Sequence, residues 1–520
     1  MENKDISAFY REWDGSSKPS MDLMKSISDN PFKLIEITIS NYKAFSDKVS
    51  IKFEDNKKPI LFVGINASGK TTIAEAIAKS LSKINSAVYN KNNDLGDVID
   101  EKNINKHNGP YQSALIELNL GYNKDKLTQI ILAKSSSGSP KTVASTLIQA
   151  KKLGAMYSHI LAEDNLDLPL YLFYGVDRSY FKTREKFEKI DLVNTERLNA
   201  IPQKLTVPLN FDEFLLWFKS LDDANNQDLA SALETIKNEL TNIDEKVNEL
   251  DKYNNLVEGL SAADDLLKKM NTITSFYAKL ENIKSDGEDN SAKSKQLETL
   301  KETIIKFIPD IQDIKIDRNQ SYPFIAEKKD GSQFLLSELS QGEKSIISLV
   351  GDLARRMLIL NPHKDNPLDT PAIVVIDELE LHLHPTWQQD IITKLEETFK
   401  NTKFILTTHT PTLVSSIINE NLYLIDTNKI HVVKSGTYGA EYSRIYTDLY
   451  RIKPRPDNVI TQKLEKYFEL ISKDLYDSEE ALILRKELDT QFKNTEPALD
   501  EATLIIENKK WEKSLYEESL

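Results

Sequence analysis

The chain has 520 residues, 40% of them hydrophobic, a formal net charge of −14 and no cysteine. Disulfides, thiolate metal sites and cysteine nucleophiles are excluded. The acidic balance argues against indiscriminate coating of nucleic acid but leaves room for a local basic groove.

No run approaches the roughly 18 apolar residues of a membrane span, and no apolar leader follows a basic start. A soluble, cytoplasmic protein without membrane attachment is expected. Residues 1–31 mix charge, Ser and Pro without clear periodicity and predict a poorly ordered or partner-bound arm. Leu34 to Ser40 alternates apolar and polar residues, as does Val49 to Phe53 after the turn at Asn41 to Phe45, so both read as strands. Ile60 to Val63 is a short, unbroken apolar strand.

That strand runs into Gly64-Ile-Asn-Ala-Ser-Gly-Lys-Thr-Thr, a G-x-x-x-x-G-K-T motif followed by a helical pattern at Ile73, Ala74, Ala76, Ile77 and Leu81. The glycines let backbone N–H groups wrap a phosphate chain. Gly64, Asn66, Ala67, Ser68, Gly69 and Thr72 build the cradle. Lys70 reaches the β- and γ-phosphates, and Thr71 offers its hydroxyl to Mg²⁺. The helix that follows points its positive N-terminus at the anion. ATP and Mg²⁺ are the expected ligands.

Residues 85–110, rich in Asn, Asp and Lys, read as an exposed loop. Ser113 to Leu120 and Leu127 to Lys134 pair as strands, and a buried strand from Leu168 ends at Gly175-Val-Asp-Arg178. Residues 32–210 thus form one lobe. From Phe211 the pattern is helical to about residue 312: Phe211, Phe214, Leu215 and Phe218 mark one face, and Leu229, Leu233, Ile236, Leu240, Ile243 and Val247 recur at three and four. The stretch is too short for a long coiled coil and reads as a compact insert.

A second lobe spans 313–455. It carries Leu339-Ser-Gln-Gly-Glu, in which Ser340 and Gly342 open an apolar helix whose N–H groups can face an anion. Ile373 to Ile376 is a β-branched run ending abruptly in Asp377-Glu378. Two adjacent carboxylates at the end of a buried strand are costly unless a charged ligand sits there. Asp377 can hold Mg²⁺ through water, and Glu378 can orient and deprotonate an attacking water. A later buried strand, Phe404 to Thr408, ends in His409. Residues 456–520 are a helical tail with 9 Lys and Arg against 16 Asp and Glu, net −7.

Leu339-Ser-Gln-Gly-Glu resembles the Leu-Ser-Gly-Gly-Gln signature of ABC-type ATPases, with Gln and Glu at its third and fifth positions. The resemblance implies that Ser340, Gly342 and Glu343 contact ATP bound to a second chain, and that His409 is the switch histidine on the same phosphate. Asp-Glu-x-Glu-x-His-x-His-Pro-x-Trp-Gln from Asp377 to Gln388 is similar to the RecF-like and overcoming-lysogenization-defect branch of SMC-related ATPases. Within it the chain looks most like the ATPase subunit of Septu-type anti-phage systems, including versions found beside retrons. The implied fold is α/β: an ABC/SMC-like head, with a mixed sheet around a P-loop, a helical insert and an acidic helical tail. The implied partners are a second copy through ATP-sandwich heads, a separate HNH nuclease and, beside retrons, a reverse transcriptase with its RNA–DNA hybrid. Two departures stand out. No Gln is placed as the Q-loop residue, where Tyr174 to Arg178 lies, and His384 stands where a transporter-type D-loop has Asp.

Rival readings share these residues. Glu380, His382 and His384 suit either a metal site or a dimer interface. Arg178 suits a phosphate contact or an ion pair, and Trp387 suits packing or base stacking. A DNA-repair clamp of the RecF/SMC type, with DNA as its ligand, fits the same motifs. An OLD-like nuclease needs a Toprim Asp-x-Asp, and none follows His409.

Overall fold

The structure is a computed structural model. It describes residues 3–54, 59–89, 96–109, 112–122, 125–140, 142–179, 196–208, 210–222, 288–317, 324–418, 421–426, 429–433 and 436–518. The chain forms two compact units, Met1–Ala440 and Glu441–Leu520.

The first unit is built on three sheets. Strands β1 (Lys33–Ser40), β2 (Val49–Lys52), β4 (Ser113–Tyr122) and β5 (Asp125–Ser135) form an antiparallel sheet in the order β2-β1-β4-β5. The central sheet has the order β13-β12-β3-β11-β10-β6. Its members are β3 (Ile60–Val63), β6 (Leu170–Tyr174), β10 (Ala372–Ile376), β11 (Thr402–Thr408), β12 (Leu422–Asp426) and β13 (Lys429–Val432). All its pairings are parallel except β12 with β13. A small antiparallel sheet joins β7 (Ile311–Ile316), β8 (Phe324–Lys328) and β9 (Gln333–Leu335).

Parallel strands covered on both faces need apolar residues at every position. Every residue of β3 and β10 is buried. Strand β11 lies between these two and pairs with both: Ile376 lies opposite Leu406, and Thr408 opposite Val63. The chain therefore leaves β3, β10, β11 and β6 at one edge of the sheet, at Gly64, Asp377, His409 and Gly175. Ligands of open parallel sheets bind at that carboxyl edge.

The helix Lys70–Tyr89 runs back from this edge and packs against strands of both larger sheets. Covered from two sides, it buries its polar residues as well as its apolar ones. Asn85 donates to the carbonyls of Tyr171 (3.1 Å) and Pro202 (2.9 Å), and Lys79 donates to that of Val98 (2.9 Å). Of the exposed loop expected over 85–110, residues 85–89 are helix instead, 90–95 and 110 lie outside the described residues, and Asp100, Lys102, Lys106, His107 and Asn108 are exposed as expected. Asp97, Ile99 and Ile104 are buried beyond the helix. Asp97 accepts from the backbone N–H groups of Leu205 and Thr206.

The N-terminal arm is also corrected. Helices Asn3–Glu12 and Met21–Asp29 pack on each other and on their own chain, at β5 and at the helix Ile148–Leu161. Ile6, Tyr10 and Trp13 are buried at helical spacing, as are Leu23, Met24 and Ile27. Ser20 caps the second helix by accepting from Leu23 N–H. Of the expected helical insert, residues 223–287, including the stripe from Leu229 to Val247, lie outside the described residues. Its flanks are helical at 211–222 and at Glu288–Phe307.

The second unit holds helices Tyr442–Asp448, Val459–Ser472, Glu479–Phe492 and Pro497–Glu518. It has its own core of Leu464, Tyr467, Ile471, Tyr476, Ala481, Leu484, Leu488, Leu499 and Ala502.

Docking of the N-terminal helices makes Ile27, fully buried, a stability residue. Ile27→Ala is expected to destabilise the first unit by about 2–4 kcal/mol. Urea unfolding followed by circular dichroism reads this as a lower midpoint, and an unchanged midpoint would show that the segment is not docked.

Candidate functional site

The loop after β3 is shaped for an anion. Ala67 and Gly69 have φ of +64° and +111°, backbone values that turn successive N–H groups inward. At Gly69 any side chain would also be blocked, because a Cβ would sit 2.9 Å from the Phe45 ring. Lys70 donates to the loop's own carbonyls, at Gly64 (2.8 Å) and Ile65 (2.9 Å), which holds its ammonium across the loop. Burial lowers the Lys70 pKa, against the opposing fields of Glu378, Glu380 and Asp377. Ser68 Oγ is buried without a hydrogen-bond partner. Left-handed turns of the kind that form anion nests, a cation held across the loop and an unsatisfied hydroxyl fit a polyphosphate.

Asp377 closes the site from β10. It is 1% exposed. Thr71 Oγ1 donates to its Oδ2 at 2.9 Å, and Thr407 Oγ1 to its Oδ1 at 2.6 Å. Burial raises its pKa, partly offset by these two hydroxyls. Thr71 and Asp377 thus adjoin at one point, the pair a hard cation beside the phosphates would use. No other His, Asp or Glu pair joins them: among the described residues no group of three such side chains is placed to hold a metal.

Glu378 follows with φ +47°, its N–H donating to Thr407 Oγ1 at 2.8 Å. The left-handed turn is strained for a non-glycine residue. It takes the Glu378 side chain out of the strand's alternation and leaves it partly exposed. Arg178, at 2% exposure, holds this turn. Its guanidinium donates to the carbonyls of Gly175 (3.0 Å), Asp377 (2.7 Å), Glu378 (2.6 Å) and Leu379 (3.3 Å). Burial lowers its pKa to about 10, opposed by the surrounding carboxylates. Both expected roles of Arg178, phosphate contact and ion pair, give way to a third: a clamp on the backbone after β10.

Glu380 pairs with His409. Its Oε1 accepts from His409 N–H at 2.7 Å and lies 2.9 Å from Nδ1. That hydrogen bond raises the His409 pKa, against partial burial. Burial raises the Glu380 pKa, but hydrogen bonds from His409, from its own backbone and from Thr408 together bring the net direction down. The metal reading of Glu380, His382 and His384 finds no convergence here. His384 instead caps the helix Pro385–Thr398, Nδ1 accepting from Thr386 N–H.

The signature segment is also a cap. Ser340 Oγ accepts from Glu343 N–H, and the Glu343 carboxylate accepts from Ser340 N–H (2.8 Å) and Oγ (2.7 Å). Glu343 also pairs with Lys328 at 3.1 Å and is buried. Within its own chain the carboxylate holds the helix start, while Ser340 and Gln341 are exposed. Among the described residues, no hydrogen bond joins Ser340–Glu343 to the loop at 64–72. A Cβ on Gly342 would sit 2.6 Å from the His382 carbonyl, so this glycine lets the helix abut the segment after β10, with Trp387 packed beside it.

Sequence reading missed Glu380 as a partner of His409, Thr407 as a bridge between Asp377 and Glu378, and Arg178 as a clamp. Only Thr407, a polar residue directly after the apolar run Phe404 to Leu406, gave a signal.

A phosphate-cradling loop and an acidic strand end, set side by side on the carboxyl edge of a parallel sheet, define a nucleotide-hydrolysing P-loop protein. Residues 33–414 match the AAA ATPase domain family, so the chain belongs to that family and is an ATPase. It is 31% identical over 503 residues to the Retron Ec83 probable ATPase of Escherichia coli, covering 94% of this chain and 89% of that protein. It is 32% identical over 407 residues to the Retron Vc95 probable ATPase of Vibrio cholerae serotype O1 biovar El Tor, covering 77% and 74%. The Septu protein PtuA of Bacillus mycoides matches over 119 residues at 32%, covering 23% of this chain and 16% of that protein. Among solved structures, the Pyrococcus furiosus Smc head domain bound to the C-terminal domain of ScpA aligns over 78% of this chain and 96% of that one. The TM-score is 0.38 and the identity 14%. Among the described residues no helix is long and apolar enough to cross a membrane.

The clamp predicts a specific failure. Arg178→Met removes the guanidinium donors to the carbonyls of residues 377–379, leaving the Glu378 carbonyl only its bond from Leu381 N–H, and is expected to destabilise the fold by about 2–4 kcal/mol. ATP hydrolysis should fall with it. Hydrolysis and unfolding midpoint both at the wild-type level would show that the clamp is dispensable.

Proposed function

We propose that this chain is the ATP-hydrolysing subunit of an anti-phage defence system, dimerising through its nucleotide sites and controlling a separate nuclease. The observation that carries the ATPase part is the hydrogen-bonded set Thr71, Asp377 and Thr407, which joins the phosphate loop to two neighbouring strand ends. Likeness to the retron probable ATPases along most of the chain supports the defence setting. The partial likeness to PtuA agrees with it.

In this reading Lys70 lies on the β- and γ-phosphates, and the loop N–H groups from Gly64 to Thr72 wrap the chain. Thr71 and Asp377 hold Mg²⁺, which supplies charge neutralisation on the phosphate oxygens. Glu378, turned out of the strand by its left-handed backbone, takes a proton from the attacking water. His409 contacts the γ-phosphate oxygens. Ser340, exposed at a helix start and unlinked to its own chain's loop, faces the γ-phosphate held by a second copy. Such a site forms only when two chains close over two ATP molecules.

The partner of this reading is an HNH nuclease and, where the chain sits beside a retron, a reverse transcriptase with its RNA–DNA hybrid. The second unit is the candidate dock. Residues 456–520 carry net −7, which repels nucleic acid and a second copy alike and favours a basic protein. On the helix Pro497–Glu518, Leu504, Trp511 and Leu515 are 60%, 63% and 45% exposed. Steps of seven and four place the three on one face.

The second reading, a DNA clamp without a toxic partner, shares the ATPase site and lacks the dock. The first test is Glu378→Gln. It should retain ATP binding, slow hydrolysis by about 10²-fold or more and accumulate an ATP-dependent dimer in light scattering. Turnover at the wild-type rate removes the general-base role. A second test concerns the dock: Trp511→Asp with Leu515→Asp should leave ATP hydrolysis intact and abolish co-purification of the nuclease from the native operon. Co-purification that survives both changes points to another docking surface, and a wild-type chain that brings down no nuclease favours the clamp reading.

A further inference from the structure

Glu380 has no part in the scheme so far, yet it is among the most deliberately placed acids in the site. It is 5% exposed, and a buried carboxylate is costly unless well bonded. Its Oε1 receives both donors of one residue, the backbone N–H of His409 at 2.7 Å and the ring at Nδ1, 2.9 Å away. Its Oε2 is buried with no hydrogen-bond partner. The carboxylate thus fixes His409 at two points while the ring stays nearly half exposed, at 46%.

An ionised carboxylate oxygen can only accept, so the ring must carry hydrogen at Nδ1. The other ring nitrogen, Nε2, is then the atom left for a ligand, and it can donate to a phosphate oxygen only when the ring is protonated, the form a neighbouring carboxylate favours. The charged groups acting on the ring are Glu380, Glu378 and Lys70, two of which lie in the site proper.

We propose that Glu380 is a positioning residue for ATP hydrolysis: it fixes His409 through Nδ1–H and holds the ring's Nε2 edge, a donor when the imidazole is protonated, toward the phosphate end of the nucleotide site. The assignment rests on the reading of His409 as a γ-phosphate contact. Acting through the imidazole, Glu380 sets the step that follows ATP binding, and binding itself is left to the loop at 64–72. Outer partners that orient an active imidazole typically contribute 10–100-fold.

The test uses the full chain, with steady-state ATPase rates measured across pH. Glu380→Gln keeps the shape and removes the charge. It is expected to lower kcat by about 10–100-fold while the KM for ATP changes by less than about 3-fold. The limb of the pH profile that reports His409 should move to lower pH, because the carboxylate that favoured the protonated ring is gone. In a His409→Ala background, Glu380→Gln should add no further loss, since coupled residues do not act additively. A full additional loss in that background, or a pH profile that does not move, shows a purely structural Glu380 and overturns the proposal. Where the variants fold poorly, ¹⁵N NMR of the wild-type His409 ring decides instead. Above its titration the ring is expected as the Nδ1–H tautomer, and Nε2–H overturns the proposal. His409→Ala with unchanged kcat also overturns it, leaving Glu380 nothing to position. Turnover that survives Glu378→Gln is a different failure, that of the broader catalytic reading.

Discussion

The structure depends on keeping one carboxylate charged where water is scarce. Asp377 is buried at the carboxyl end of a fully buried strand, and burial raises its pKa. Two threonine hydroxyls oppose that shift, one from the first turn of the helix after the phosphate loop and one from the strand between. For both to reach it, β3, β11 and β10 must be adjacent and parallel and must end at the same level. The sheet order β3-β11-β10 meets that requirement.

Much of this was legible in the chain. The phosphate loop, its flanking strand and helix, the β-branched run before Asp377 and the strand before His409 each follow from local pattern. Their strand spans are as expected for β3, and β10 begins one residue earlier, at Ala372. Patterns of this kind report which face of an element is apolar. They do not report what the element meets, and the differences arise there. The helix Lys70–Tyr89 is covered by two sheets, so Asn85 is buried, and its polarity reads as a loop until the carbonyls of Tyr171 and Pro202 are known. The N-terminal helices are short. Their apolar residues make a stripe of two or three positions each, too few to stand out from a charged background.

Site residues divide in the same way. Lys70, Thr71, Asp377 and Glu378 lie in contiguous motifs whose chemistry is carried by neighbours in sequence. Arg178 meets backbone carbonyls about 200 residues away, and backbone carbonyls carry no sequence signature. Glu380 meets His409 across 29 residues. Next to His382 and His384 it resembles a metal cluster, and only the fold separates the three. Glu343 shows the converse: a motif residue whose carboxylate, in place, serves its own helix cap.

These long-range contacts fall on one short stretch. From Asp377 to His384 the backbone is held by Arg178 at residues 377–379, by the Glu380 side chain to His409, and by the close approach of the His382 carbonyl to Gly342. His384 then starts the next helix. The left-handed values at Glu378 and His382 are strained unless such contacts enforce them. The stretch therefore has little freedom to adjust at one end without loading the other. The same stretch meets the start of the helix at Ser340 through the packed carbonyl–glycine contact, in the same chain. If Ser340 faces a nucleotide on a second copy, that contact is the shortest route by which the state of one phosphate site bears on the other. A side chain at residue 342 would alter the route before it touched any nucleotide, so the glycine's role in its own chain must be separated from its role across the dimer.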